Sequence, residues 1–417
     1  MNALIKSATI VDPKSDFHNQ TLDILIEKGT ITQIAKQISN PKNFEEIKLD
    51  HLHVSQGWFD SSVCFGEPGY EERETIENGL KTAALSGFTA VAVNPNTHPV
   101  IDTNADISFL KGKAAGNAVN LYPIGALTKS SQGEDLAELF DMKNAGAVAF
   151  YDYQKPVGNP NLMKLALQYS SNFDGLIISF PQESKISGSG VMNENKTSTL
   201  LGLKGNPTLA EELQISRDLF LLEYASGRLH IPTISTAKSV ELIRKAKQNK
   251  LNVTCSVAIH NLLFTDETLA TFNTNFKVLP PLRSQTDIDA LIEGLKDGTI
   301  DMVTSDHNPI DIEHKKIEFD FAKYGTIGLE TAFGALLSCF TLKKTIELLT
   351  KGKERFGITS TPINVGNKAH LSLFNPNEAY TFTKEHIIST SKNSLFENFH
   401  LKGKVYGIIS NNQMVLN

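Results

Sequence analysis

Residues 54–96 read VSQGWFDSSVCFGEPGYEERETIENGLKTAALSGFTAVAVNPN and contain one complete strand–helix–strand unit. The runs VSQGWFDSS (54–62) and FTAVAVNPN (88–96) have the length and apolar character of strands buried inside a sheet. Between them, EERETIENGLKTAALSG (71–87) has amphipathic helical spacing and closes on Gly87, a residue suited to the left-handed conformation beyond a helix end. A strand that returns through a helix lies parallel to the one before it. The stretch FDSSVCFGEPGYEE (59–72) then leads out of the first strand's C-terminal end, where parallel α/β folds place their ligands.

The same alternation continues along the chain. Strand candidates follow in NLYPIGAL (120–127), GAVAFYDY (146–153), GLIISFP (175–181), RLHIPTIS (228–235), NVTCSVAI (252–259) and DMVTSDH (301–307). Helical patterns separate them, among them GEDLAELFDMKNAG (133–146), TLAEELQISRDLFLLEYASG (208–227), SVELIRKAKQNK (239–250) and TDIDALIEGLKDG (286–298). Eight such repeats predict an α/β fold, a closed (β/α)8 TIM barrel, with two further helices in 328–340 and 342–352. Both ends of the chain differ from this middle. ALIKSATIVD and LDILIEKGTITQIAK near the start, and AHLSLFNPN, AYTFT and VYGIISNNQMVLN near the end, read as short strands joined by turns. A small β-sandwich domain built from residues 1–54 and 362–417 is expected beside a barrel domain spanning 55–361.

Composition narrows the function classes. Net charge is -6 with dispersed basic residues, which argues against a nucleic-acid surface. No apolar run is long enough for a membrane span, and the N-terminus lacks a signal-peptide core, so a cytoplasmic protein is expected. Three cysteines without close pairing fit a reducing compartment.

In a barrel of this type chemistry gathers at the C-terminal ends of the strands. Those ends present Ser62 with Cys64, then Asn96, the Thr128–Lys129 region, Asp152, Phe180, Thr233, His260 and Asp306. Only Cys64, Asp152, His260 and Asp306 could ligate a divalent cation, whereas a hydrolytic zinc site has three or more protein ligands, often histidines. His51 and His53 form a His-x-His pair but precede the strand end, and are expected to be unrelated to the site. His230 is expected to be a satisfied core residue. His314, in the charged run DIEHKK, is expected on solvated surface, and His98 follows Asn96 closely enough to be of interest.

Many ordered segments carry a resemblance: EPGYEERETIENGLKTAALSGFTAV, NPNTHPVID, GAVAF, GVMNE, GLKGNP, RLHIPTISTAKSVELIRKAK, PPLRSQTDIDALIEGLKDGTID, SDHNP and GLETAFGALL. Together they resemble dihydroorotases of the long-chain type, in the cyclic amidohydrolase family, whose fold is a barrel of the metal-dependent hydrolase type with a small β-sandwich. The resemblance implies metal-ligand positions at Ser62, Cys64, Asp152, Phe180, Thr233 and Asp306. Four of these would be histidine in the family, and none is histidine here. Asp152 and the general-base position Asp306 are retained, as is the substrate-binding position Asn96. An arginine expected before EPG is Gly66, an asparagine before PPLR is Leu279, and a histidine after SDHNP is Ile310.

No bound metal is therefore expected, and the resemblance implies a silent homologue. Inactive chains of this resemblance are companions of aspartate carbamoyltransferase, which they help to assemble, so that enzyme is the implied partner, and a homo-oligomer, a dimer, is expected. Two alternatives stand beside this. One is an active hydrolase closing N-carbamoyl-L-aspartate to dihydroorotate reversibly on a reduced zinc site drawn from Cys64, Asp152, His260 and Asp306, with His307 as a further donor. The other is a sensor of a pyrimidine-related ligand. Without a metal, Asp306 is expected to hydrogen-bond backbone amides or His307, Asp152 to satisfy loop amides, and Cys64 to be a buried small hydrophobe.

Overall fold

All 417 residues are described by a computed structural model. The eight barrel strands are β1 (Trp58–Val63), β2 (Phe88–Val93), β3 (Asn120–Gly125), β4 (Ala149–Tyr151), β5 (Leu176–Ile178), β6 (Arg228–Ile231), β7 (Val253–Ala258) and β8 (Met302–Thr304). Each is hydrogen-bonded in parallel to its neighbours in chain order. All eight coincide with strands predicted from the alternation.

The circle closes between β8 and β1 largely through side chains. Val63 and His307 form a single parallel bridge, and the Cys64 amide donates to the His307 carbonyl at 2.7 Å. Asp60, buried on β1, accepts from the Ser62 amide at 3.1 Å, the Ser305 amide at 2.9 Å and the Thr304 hydroxyl. One carboxylate thus replaces several missing rungs of the ladder and fixes the two strand ends that carry Ser62, Cys64 and Asp306.

Helices cover the barrel, and their starts follow local chemistry. Thr75, Thr103, Asn159 and Thr236 each cap a helix by accepting from its first-turn amides, which satisfies donors that have no partner inside the helix. None of the helices is long and apolar enough to cross a membrane.

Strands from both termini join one eight-stranded sheet. Its order runs 413–416, 400–410, 371–381, 53–56, 3–10, 21–27, 30–35, with 45–47 paired to 3–10. His53 lies in this sheet, away from the barrel mouth. A separate apolar core of 18 residues draws on both halves of the sheet, including Ile5, Ile24, Leu373 and Ile409. The sheet is tied to the barrel by aromatic packing. The Trp58 ring on β1 lies 4.8 Å from that of Phe333 and 5.5 Å from that of Phe374, on the 371–381 strand. The indole nitrogen donates to Ser55 at 2.9 Å, so the buried ring leaves no polar group unpaired. This junction holds β1, and with it the first site loop.

Candidate active site at the barrel mouth

The mouth is built around Asp306, in left-handed conformation (φ 47°) just past β8. Its amide donates to the Thr304 hydroxyl at 3.0 Å, and its Oδ1 accepts from Ser62 Oγ at 3.2 Å. Asn94 Nδ2 donates to the same Ser62 oxygen at 2.9 Å and approaches Cys64 Sγ at 3.7 Å. The result is a small chain of hydrogen bonds from β2 through β1 to β8. Asp306 faces neither backbone amides nor His307, contrary to expectation. Instead, His307 Nδ1 accepts from the Gly328 and Leu329 amides at 3.2 and 3.4 Å, which turns the ring away from the mouth.

Burial pushes the Asp306 carboxyl up from its ordinary value to about 7; the Ser62 hydrogen bond pulls it back, and the Asp60 carboxylate adds to the rise. No lysine or arginine offsets this. Burial, with Asp306 nearby, also pushes the Cys64 thiol up to about 12. A thiol so held is neither a nucleophile nor a ready ligand, since both roles need the thiolate. Asn96 is half-buried and lies near the Cys64 side chain.

Asp152 ends β4 but points into the 127–131 loop. Its Oδ1 accepts from the Leu127 and Thr128 amides, each at 3.0 Å, and Oδ2 from the Thr128 hydroxyl. These three donors occupy the carboxylate as loop support. Phe180 and Leu279 are buried, and share one apolar cluster with Cys64, Tyr151, Tyr153, Ile178 and Ala92 inside the barrel. Thr233 is buried in left-handed conformation, its amide donating to Ser256 Oγ at 3.2 Å. Ile310 is buried, and its amide donates to Asn393 Oδ1 at 3.1 Å.

The histidines are dispersed. His230 is satisfied on both nitrogens, by Thr254 at 3.0 Å and Ser256 at 3.2 Å, and burial pushes it down to about 3. His260 is buried with Nε2 unpartnered and is likewise pushed down to about 3. His98 is exposed. The DIEHKK run is not uniformly solvated: Asp311 pairs with buried Arg73 at 2.9 Å and with His314 at 2.6 Å, while Lys315 is buried and donates to the carbonyls of Thr274 and Lys277. Nowhere do three or more His, Cys, Asp or Glu side chains converge in a metal-holding group. The donor set at the mouth, a hydroxyl, a protonated thiol, a phenyl ring and a saturated carboxylate beside Asp306, does not fit a divalent-metal centre.

Two residues at the mouth escaped the reading of the sequence. Tyr151 and Tyr153 flank Asp152 and share the opposite face, so their spacing of two was the available signal. Tyr153 has no hydrogen bond of ordinary length from its hydroxyl, yet lies close enough to Asp306 to favour its carboxylate.

The loop leaving β1 is packed backbone to backbone. Gly66 donates to the Glu74 carbonyl at 2.8 Å and accepts from the Tyr70 amide at 2.7 Å. A Cβ on Gly66 would fall 1.9 Å from the Tyr70 oxygen. Gly69 has φ +91°, as a Pro-Gly turn requires, and its missing Cβ makes room for the His98 carbonyl.

A profile of the dihydro-orotase-like family matches residues 53–239. The dihydroorotase of Acetivibrio thermocellus is 41% identical over 421 aligned positions, covering 99% of this chain and 98% of that protein. The chain belongs to the dihydroorotase family. The dihydroorotase of Ruminiclostridium cellulolyticum is 42% identical, with 97% of this chain and 96% of that protein covered. Among solved structures, the L-hydantoinase (dihydropyrimidinase) of Arthrobacter aurescens superposes with a TM-score of 0.85 at 22% identity, covering 100% of this chain and 97% of that one. The last likeness shows that the two chains share one fold. Within the dihydroorotase family, this member is matched over nearly its whole length.

Thiol accessibility checks the packing at the mouth. With Cys64 and Cys255 buried and Cys339 partly exposed, a disulfide reagent should titrate at most one thiol in the native protein and three after unfolding. Rapid native labelling at Cys64, located by peptide mapping, would mean an open mouth.

Proposed function

We propose that this dihydroorotase homologue lacks hydrolase activity and serves as a structural partner in an assembly, the partner implied by the resemblance being aspartate carbamoyltransferase. Cytoplasmic residence and the absence of a bound metal belong to the same reading. The observation carrying it is that the four histidine positions of the resemblance are Ser62, Cys64, Phe180 and Thr233, with Phe180 buried in the barrel's apolar core. A dianionic substrate would meet no cation here and would lose its hydration without compensation. A scaffold similar to the relatives over nearly its full length, with a mouth that offers no metal site, fits a protein retained for its surface.

A second reading is favoured by two observations. The relatives similar over nearly the full chain are named dihydroorotases, and Asp306, pushed up to about 7, has the proton affinity of a useful general base at neutral pH. The discriminating experiment is dihydroorotate turnover in both directions, with metal content determined on the same preparation. The expected result is no rate above background, less than stoichiometric metal, and no rescue by added zinc. Turnover with about one metal per chain would establish the second reading instead.

A further inference from the structure

At the end of the barrel opposite the mouth, where the strands begin, lies a polar cavity of about 240 Å³. Thr89 on β2, with Asn120 and Tyr122 on β3, lines its barrel side, while Thr361 and His370 approach from the segment that leads into the terminal sheet. Lys353, only 6% exposed, also lines it. The helix Leu342–Lys351 runs into a short 3-10 turn, Gly352–Glu354, which sets Lys353 against the start of β1. There its Nζ donates to the Gly57 carbonyl at 2.5 Å. An ammonium has three protons to donate, and the protein supplies an acceptor for one of them. Burial pushes Lys353 down to about 8, with no acidic neighbour pulling it back. A cation held in this way is unfavourable until a negative charge joins it.

We propose that this cavity binds inorganic phosphate, held by the Lys353 ammonium and the neutral donors around it, at the seam between the barrel and the terminal sheet. None of the residues lining it is Asp or Glu, in a chain that has 46 of these against 40 lysines and arginines. The lining offers donors instead. His370 engages the Ser410 hydroxyl through Nδ1 at 2.9 Å, which leaves Nε2; burial, reinforced by Lys353 and Lys368, holds the ring below its ordinary value. Asn120 accepts from Asn411 through Oδ1 at 3.0 Å, which leaves its NH2 group with only a long contact of 3.5 Å to the Thr89 carbonyl. Burial pushes the Tyr122 phenol up, so it keeps its proton. Hydrogen bonds from such donors are strengthened when the acceptor is an anion. The nearby carboxylate of Asp12 does not serve Lys353, because it already accepts from the Lys14 amide at 3.0 Å, Gln56 Nε2 at 2.9 Å and the Ile363 amide at 2.8 Å. Size selects the free ion, since sites for metabolite-sized ligands run to roughly 300–1,000 Å³.

The test uses the full-length protein and is independent of any catalytic activity. Equilibrium dialysis against radiolabelled inorganic phosphate, in chloride buffer of constant ionic strength, should find one phosphate per chain. Lys353→Met should weaken binding about tenfold or more, the loss expected for a hydrogen bond to a charged group. Asn120→Asp has the same size and still accepts from Asn411, but sets a carboxylate in the cavity; it should abolish binding with an unchanged circular dichroism spectrum, and it decides the matter if Lys353→Met folds poorly. Lys343→Met, at an exposed position lining only the neighbouring cavity of about 560 Å³, should bind as the parent does. Glycerol 3-phosphate should displace the label no better than phosphate; tighter binding would overturn the assignment to the free ion. No binding at millimolar phosphate, or binding that Asn120→Asp retains, would overturn the site itself.

Discussion

Gly66→Ala lowers the stability of the folded chain by about 3 kcal/mol, the upper part of the range for overpacking, and Gly66→Arg yields little soluble folded protein. The resemblance places an arginine at this position, so the substitution looks like a restoration. The backbone forbids it. A Cβ would stand 1.9 Å from the Tyr70 oxygen and 3.1 Å from the Glu74 oxygen, and both atoms belong to main chain that is itself hydrogen-bonded to Gly66. No side-chain rotation relieves such a contact; the 66–74 loop must open. That would disturb Arg73, buried over the Tyr70 ring at 4.0 Å and bonded to Asp311. Urea denaturation followed by the fluorescence of the single tryptophan, Trp58, reads the effect directly. Gly112→Ala, on a helix with open space around it, is the matched control and should be neutral or slightly stabilising. Equal midpoints for Gly66→Ala and the parent would show that the loop can yield, and would reopen the route to an arginine anchor.

This loop also marks the boundary of what the residues alone disclose. The barrel was legible because its signal is periodic: each strand is a short apolar run and each helix an amphipathic one, repeated eight times. That Ser62, Cys64, Phe180 and Thr233 carry no imidazole was legible because it needs only residue identity. Packing at the mouth was not. The text EPGY suggests a loop kept in family form, and the positive φ of Gly69 agrees, but the close approach at Gly66 depends on where Tyr70 and Glu74 fall in space. Lys315 in DIEHKK looks solvated from its neighbours, yet the carbonyls that receive it come from Thr274 and Lys277, some forty residues earlier. Tyr153 was missed for a related reason: its role comes from proximity to Asp306, on the opposite side of the barrel.

Asp306→Asn is expected to stabilise the protein above pH 7 by roughly 2–4 kcal/mol, and to change little near pH 4. The folded carboxyl titrates at about 7 against an ordinary value of 3.8, so between these limits the folded state holds a proton that the unfolded state has released. Stability contributed by the neutral acid is full below about pH 4 and is lost as pH rises through 7. Asparagine keeps the shape, accepts from Ser62 in the same way, and tolerates the positive φ better than most residues. It carries no charge to be stranded. The titratable groups around position 306 are Asp60, Cys64, Tyr151 and Tyr153, all buried, and none is cationic. Urea midpoints of the two proteins from pH 4.5 to pH 8 therefore diverge upward for the variant. The sign bears on function. A carboxylate stabilised in its charged form by a metal or a cationic substrate anchor would make the parent the more stable protein at pH 8, and added zinc would widen that gap. A gap in favour of asparagine, unmoved by zinc, describes an aspartate that the fold tolerates as a neutral acid and that no bound cation has claimed.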